Sequence, residues 1–162
     1  MASGDFKGDG SEQVFIGAPG YTEEGRSQMG AVYLSSDTAV PHLTPDIDSD
    51  GESYSYQRFG YAVAALDINR DGVDDLVVSA PSYGYLNMSA TLNDYYPKVY
   101  NGRVYIYFGK SGTGIASGSK PDLIIQSKDE TVDDIFNLGL SLRTSDCNGD
   151  GNLDLLVLSP LS

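Results

Sequence analysis

Hydrophobic and polar residues alternate over several short stretches of the chain. The alternation covers residues 61–66, 104–107 and 138–143. A period of two is that of a β-strand, whose successive side chains point to opposite faces of a sheet. The runs 76–78 and 155–158 are apolar at every position, which predicts inner strands that are buried on both faces. No stretch of ten or more residues has a helical period, so the pattern predicts an all-β fold.

Three related segments recur along the chain. In each, an aspartate-rich loop that begins at Asp5, Asp67 or Asp146 is followed by a short hydrophobic run. A Gly-x-Val-Tyr stretch at 30–34 recurs at 102–106. The wider spacing of the later copies comes from insertions confined to loops, as is typical of repeat architectures. The middle copy is predicted to hold four strands, near residues 59–66, 75–79, 102–108 and 122–126.

The composition adds a preference for turns and for cations. The 162 residues allow one domain, and 10 Lys+Arg against 23 Asp+Glu give a formal net charge of −13. This charge argues against nucleic acid and against anionic membrane surfaces as partners. Eighteen of the acidic residues are Asp, which favours turns and ligates hard cations. No run of eighteen apolar residues is present, so no transmembrane segment is predicted.

The single cysteine, Cys147, and the single histidine, His42, limit the chemistry that the chain can carry. One cysteine excludes an intramolecular disulfide framework, and the two residues are too few for a zinc site built from His and Cys. A Ser-His-Asp triad needs only one histidine, but no G-x-S-x-G motif accompanies His42. We therefore interpret His42 as structural, and no catalytic residue is predicted.

Two of the aspartate loops have the oxygen spacing of a calcium site. Each loop has Asp at positions 1, 5 and 9, Asn at position 3 and a backbone carbonyl at position 7. Alternate residues of a tight loop point inward, and the glycine at position 6 permits the sharp turn. An all-oxygen set suits Ca²⁺ better than Mg²⁺, which prefers fewer protein ligands. The predicted calcium ligands are Asp67, Asn69, Asp71, Val73 and Asp75 in the middle loop and Asp146, Asn148, Asp150, Asn152 and Asp154 in the third.

The loops differ from EF-hands, and the first loop differs from the other two. Position 12 is Val rather than Glu in both predicted sites, and the flanks are strands rather than helices. That these loops are only polar turns remains the alternative. The first loop has Lys7 at position 3 and Gln13 at position 9, and an ammonium group cannot ligate a cation. We therefore predict that the first loop binds no ion, with the charge of Lys7 between Asp5 and Asp9.

The repeated motifs resemble the FG-GAP repeat of integrin α-subunit propellers. Phe59-Gly60 is followed by an aspartate-rich loop and Ser79-Ala80-Pro81, and Gly17-Ala18-Pro19 follows the loop of the first copy. Within this family, the chain is similar to the C-terminal propeller of glycosylphosphatidylinositol-specific phospholipases D. The tracts that carry this similarity are residues 58–60, 66–81, 102–109 and 137–139.

The resemblance implies β-propeller blades of four antiparallel strands and a partial propeller. Residues 1–58 would form a blade without its first strand, 59–137 a complete blade, and 138–162 the start of a third. The implied function is a non-catalytic, calcium-binding accessory or recognition module of a phospholipase D-like protein that hydrolyses glycosylphosphatidylinositol anchors. An integrin-α-like adhesion or protein-interaction propeller is the alternative. The expected partners are the remaining blades or a second copy, and a protein or glycan ligand, in an extracellular location.

Other features have simpler interpretations. Asn87-Met88-Ser89 is a glycosylation sequon, and the tyrosine-rich loop 83–100 is either a partner surface or packed on its blade. The acidic run Asp46 to Asp50 is interpreted as a solvated turn, with weak cation binding as the alternative. Cys147 occupies a loop position that is apolar in the other two copies, which predicts a small core residue.

Overall fold

The computed structural model describes residues 1–23, 25–45, 56–83, 102–126 and 137–160. Within these ranges the regular structure consists of β-strands. The strands are β1 (Ala2–Gly4), β2 (Gln13–Ala18), β3 (Ala31–Leu34), β4 (Val63–Leu66), β5 (Asp75–Ala80), β6 (Arg103–Tyr107), β7 (Leu123–Gln126), β8 (Ser141–Ser145) and β9 (Asp154–Leu158). The all-β prediction is therefore confirmed.

The strands form three antiparallel sheets in chain order, β1-β2-β3, β4-β5-β6-β7 and β8-β9. The middle sheet has the four predicted strands, with β5 one residue longer than expected. Its register pairs Leu66 with Asp75, Leu76 with Tyr107 and Tyr105 with Ile124. Four strands connected as successive hairpins are the unit of a propeller blade.

The first sheet contains a strand that the sequence comparison did not predict. Strand β1 pairs Gly4 with Gln13, just as β4 pairs Leu66 with Asp75, so β1 takes the place of the first strand of the blade. The expectation that residues 1–58 lack this strand therefore does not match the structure. The strand is three residues long and too short to show the alternating pattern. The blade boundaries at 58 and 137 stay predictions.

The hydrophobic core lies between the sheets, in two layers on the two faces of the middle blade. Leu76, Val78 and Ala80 of β5 belong to the layer shared with the first sheet. Val77, with its side chain on the opposite face, belongs to the layer shared with the third sheet. Every residue of β5 is buried, as the unbroken apolar run predicted. Sheets stacked face to face through such layers are the packing of a β-propeller, and the chain is a partial propeller of this kind.

Strand β9 is less buried than its sequence predicted. Leu155 and Val157 pack against the layer shared with the middle blade, whereas Leu156 and Leu158 are 42% and 54% exposed. A strand that is apolar on both faces needs a sheet on each side. Within the described residues, β9 has one neighbouring sheet, so its second face is open to solvent.

Glycines at the junction between the first two blades explain the Phe-Gly and Gly-Ala-Pro motifs. A Cβ on Gly17 would overlap the carbonyl oxygen of Gly60, because the two backbones meet there. Phe59 is fully buried and its ring lies 5.3 Å from that of Tyr105 in an edge-to-face arrangement. The aromatic residue anchors the blade while the glycine permits the close approach of its neighbour.

Candidate calcium loops

The three aspartate loops connect the first two strands of each sheet. They join β1 to β2, β4 to β5 and β8 to β9, so stacking of the sheets places the loops along one edge of the molecule. Neighbouring loops are adjacent, since hydrogen bonds join Asp5 to Asp74 and Arg70 to Asp150.

The middle loop is folded by its own carboxylates. Asp67 accepts hydrogen bonds from the backbone N–H of Asp71 at 3.0 Å and of Gly72 at 2.8 Å. Asp71 accepts from the N–H of Val73 at 2.9 Å, and Asn69 from that of Asp71 at 3.0 Å. Positions 1, 3 and 5 therefore all turn their oxygens toward the loop interior.

Asp75 at position 9 is the buried member of the predicted set. Its relative exposure is 0%, and its two oxygens accept hydrogen bonds from the N–H of Ile68 and of Gly109, both at 2.9 Å. Burial raises the pKa of Asp75, the two amides oppose this shift, and the nearby charge of Asp71 adds to it. A buried carboxylate beside a second one is an arrangement that a cation would stabilise.

The third loop repeats the middle loop almost bond for bond. Asp146 accepts from the N–H of Asp150 at 3.1 Å and of Gly151 at 2.9 Å, and Asp150 accepts from that of Asn152 at 2.8 Å. Asp154 accepts from the N–H of Cys147 at 2.9 Å, as Asp75 does from Ile68. The N–H of Gly151 is the main cause that lowers the pKa of Asp146, and that of Asn152 is the main cause for Asp150.

The predicted ligands lie in the same two loops but do not form a closed cage. Among the described residues, no three His, Cys, Asp or Glu side chains converge into a group ready to hold a metal ion. The carboxylates instead accept backbone amides. Asp150 accepts four hydrogen bonds, two on each oxygen, whereas each of the other carboxylates keeps a lone pair on an oxygen. The donor set is entirely oxygen, so the residues fit a hard cation such as Ca²⁺. The ligand assignments themselves stay a prediction.

In the first loop, backbone amides rather than a cationic side chain form the hydrogen bonds to the carboxylate of Asp5. Asp5 accepts from the N–H of Lys7, Asp9 and Gly10 at 3.3, 3.1 and 2.8 Å, and the Gly10 bond is the main cause that lowers its pKa. Two ion pairs join described residues to each other, Glu23–Arg26 and Arg70–Asp150. The stem of Lys7 lies beside Gly114, so the charge predicted between two aspartates is replaced there by backbone amides.

Comparison with known proteins agrees with this architecture. Residues 59–107, which contain β4 to β6, match the model of the FG-GAP repeat. The chain carries an FG-GAP repeat. Over its full length it is 37% identical to phosphatidylinositol-glycan-specific phospholipase D from Mus musculus and from Homo sapiens. It is 31% identical to integrin alpha-5 from Xenopus laevis over 97% of the chain.

The match covers a minor part of each relative. The chain spans 18% of the length of the two phospholipases and 14% of the integrin. The FG-GAP match and the 37% identity over the full chain confirm the family resemblance predicted from the motifs. In the part of the chain that is described, no helix is long and apolar enough to cross a membrane.

Two contacts between neighbouring FG-GAP loops were not predicted. The N–H of Asp5 donates to the carboxylate of Asp74 at 2.8 Å, and the N–H of Asp74 donates to the carbonyl of Asp5 at 3.1 Å. Arg70 of the middle loop pairs with Asp150 of the third at 3.0 Å. One signal was available, since position 4 is Gly8 and Gly149 in the other loops but arginine in the middle one.

Cys147 differs from its prediction, whereas His42 has structural contacts. Cys147 is exposed, although its counterpart Phe6 is fully buried under the middle blade. Burial at this loop position needs a following sheet, which no described residues supply on the side of β9. The Nε2 of His42 lies 2.8 Å from the carbonyl oxygen of Ile115, and its ring packs 5.4 Å from that of Phe15.

Three sequence features lie outside the described residues. They are the sequon at Asn87, the acidic run from Asp46 to Asp50, and the loop 83–100 beyond its first residue.

Proposed function

We propose that this chain is a calcium-binding FG-GAP propeller segment that acts as a non-catalytic accessory or recognition module. The observation that carries the proposal is the carboxylate of Asp75. It is fully buried, it lies beside the charge of Asp71, and it closes a loop whose other inward groups are also oxygens. The third loop has the same donor order and nearly the same hydrogen bonds.

The side chains that would hold the ion are those at positions 1, 3, 5 and 9 of each loop. In the middle loop they are Asp67, Asn69, Asp71 and Asp75, with the carbonyl of Val73. In the third loop they are Asp146, Asn148, Asp150 and Asp154, with the carbonyl of Asn152. A bound ion would neutralise the repulsion between carboxylates and hold the connection between the first two strands of the blade.

The expected contribution is structural. Extracellular calcium modules bind with a Kd on the order of 10⁻⁴ M. At about 1–2 mM free Ca²⁺, linkage then stabilises the folded chain by roughly 1.4–1.8 kcal/mol for each site. An extracellular location is part of the same proposal, because sites of this affinity are filled only at millimolar free Ca²⁺.

The activity of the parent protein is a further part of the proposal. Identity of 37% over the full chain supports a parent similar to phosphatidylinositol-glycan-specific phospholipase D, in which this segment is an accessory part. The described residues place no nucleophile beside a base, since His42 contacts a backbone carbonyl and a phenylalanine ring. The match to integrin alpha-5 supports the alternative, an adhesion propeller without an attached enzyme.

The open faces of the segment support the proposed partners. Ile16 of the first sheet is 38% exposed, and Leu156 and Leu158 of the third are 42% and 54% exposed. Exposed apolar faces of this kind fit further blades or a second copy of the chain. A protein or glycan ligand is proposed from the relatives.

Calorimetric titration of the chain with CaCl₂ tests the proposal. We expect two sites with Kd values on the order of 10⁻⁴ M. Asp71→Ala should remove one site and Asp150→Ala the other. Asp9→Ala is the matched control, because Asp9 holds the N–H of Ser11 at 2.9 Å just as Asp71 holds that of Val73, but lies in the loop predicted to bind no ion. Loss of binding in the Asp9 variant, or no binding by the parent chain, would contradict the proposal.

A further inference from the structure

Arg70 stands at a position where the other two loops have glycine. The backbone φ angle is positive at this position in all three loops, 62° at Gly8, 63° at Arg70 and 77° at Gly149. A residue with a Cβ is strained in this left-handed conformation, whereas glycine is not. Strain of this kind persists where the surrounding structure compensates for it, so the arginine side chain should have a role.

The side chain of Arg70 crosses the boundary between two blades. Its Nη2 donates a hydrogen bond to Oδ2 of Asp150, at position 5 of the third loop, at 3.0 Å. The other oxygen of Asp150, Oδ1, accepts from the N–H and the side-chain Nδ2 of Asn152, at 2.8 and 3.0 Å. Oδ2 is therefore the oxygen that Arg70 shares with the side chain of Asn148 in the same loop.

Position 5 of the middle loop lacks an equivalent cation. Oδ2 of Asp71 accepts a hydrogen bond from Nδ2 of Asn69 at 3.0 Å, as Oδ2 of Asp150 does from Asn148 at 3.3 Å. Within the ranges that the structure describes, however, Asp71 makes no ion pair. The two loops thus share one order of oxygen donors, and at position 5 they differ by one guanidinium group.

We propose that Arg70 sets the calcium affinity of the third loop by competing with the ion for Oδ2 of Asp150. The inference rests on the proposed calcium sites. An ion that takes this oxygen must displace or rearrange the Arg70 hydrogen bond, and it is repelled by the guanidinium charge. The third loop is therefore the weaker of the two sites, although its own residues match those of the middle loop.

Solvent exposure limits the size of the effect. The side chains of Arg70 and Asp150 are 61% and 37% exposed, so water and salt screen their interaction. Exposed ion pairs of this kind change an equilibrium constant by about two- to fivefold. Screening also predicts that the effect of Arg70 decreases as the salt concentration rises.

The test uses two variants that keep the backbone strain. Arg70→Gln removes the charge and Arg70→Lys keeps it, and both leave a side chain on the strained residue. The lone cysteine, Cys147, is exposed at position 2 of the third loop, so an environment-sensitive fluorophore attached there reports calcium binding at that loop. Calorimetry of the unlabelled proteins checks that the label does not change the binding.

At low salt, Arg70→Gln should bind Ca²⁺ at the third loop about two- to fivefold more tightly than the parent chain, and Arg70→Lys should stay close to the parent. At high salt, the ratio between the Gln variant and the parent should approach one. If Arg70→Gln binds no more tightly at low salt, while Asp150→Asn abolishes the third-loop signal, the Arg70 proposal is wrong and the calcium sites stand. If the parent chain binds no calcium at either loop, the proposed function itself fails.

Discussion

Replacing Asp75 with Asn separates two roles of this buried carboxylate, a brace for the loop and a ligand for calcium. Asp75 accepts the N–H groups of Ile68 and Gly109, both at 2.9 Å. In the variant, one of these amides faces the side-chain NH₂ and loses its acceptor. A buried unpaired donor costs about 1–3 kcal/mol. Removal of the buried charge stabilises the folded state and offsets part of this cost. We therefore expect the free energy of unfolding to fall by about 1–2 kcal/mol in calcium-free buffer.

If Asp75 is a calcium ligand, the variant loses further stability in the presence of calcium. Loss of the site removes the linkage stabilisation, about 1.4–1.8 kcal/mol at about 1–2 mM free Ca²⁺. For a domain of this size the calcium term corresponds to roughly 3–7 °C in Tm. Scanning calorimetry of the parent and the variant, each with chelator and with calcium, measures both terms.

The matched control is Asp122→Asn in the same blade, because Asp122 accepts the N–H of Phe108 at 2.8 Å but lies outside the loops. This control should lower Tm equally with and without calcium. An Asp75→Asn variant that behaves in the same way would refute the ligand assignment and leave Asp75 as a brace only.

Three further predictions follow from packing and from the acidic loops. Gly17→Ala should lower stability by about 1–3 kcal/mol in urea unfolding because its Cβ meets backbone of the next blade, whereas Gly20→Ala, with open space around it, should change little. Leu76→Ala, fully buried, should cost about 2–5 kcal/mol, and Leu156→Ala, 42% exposed, clearly less. Asp5 has a pKa below its ordinary value of 3.8, so its contribution to stability is present above that pH and is lost as the pH falls through the lowered value. In calcium-free buffer, Asp5→Asn should therefore make the urea midpoint less dependent on pH below about 4; an unchanged slope would contradict this.

The elements that could be predicted from the sequence are those with strong local patterns. The four strands of the middle blade follow from alternation and from the apolar run 76–78, because a strand between two sheets needs apolar residues on both faces. Strand β1 was not predicted because three residues are too few for a pattern, and its pairing with β2 fixes it. The spacing of the oxygen donors could also be predicted from the sequence, because positions 1, 3, 5 and 9 lie within one short loop.

Burial and contacts between blades could not be predicted in this way. Leu158 and Cys147 match buried counterparts in the middle and first copies, yet both are exposed, because burial at these positions depends on a sheet that packs on one side. The pair between Arg70 and Asp150 joins residues that are distant in the chain and adjacent only after the sheets stack.

The amino-acid sequence by itself therefore determined the strands with a strong local pattern, the repeat and the order of oxygen donors in each loop, since all three depend on neighbouring residues. The tertiary structure alone decided which of the apolar strands are covered, that Asp75 is buried between two backbone amides, and that one loop places an arginine on the carboxylate of the next. The reason is physical: periodicity and spacing are properties of a short segment, whereas burial and electrostatic coupling arise only where separate segments pack together.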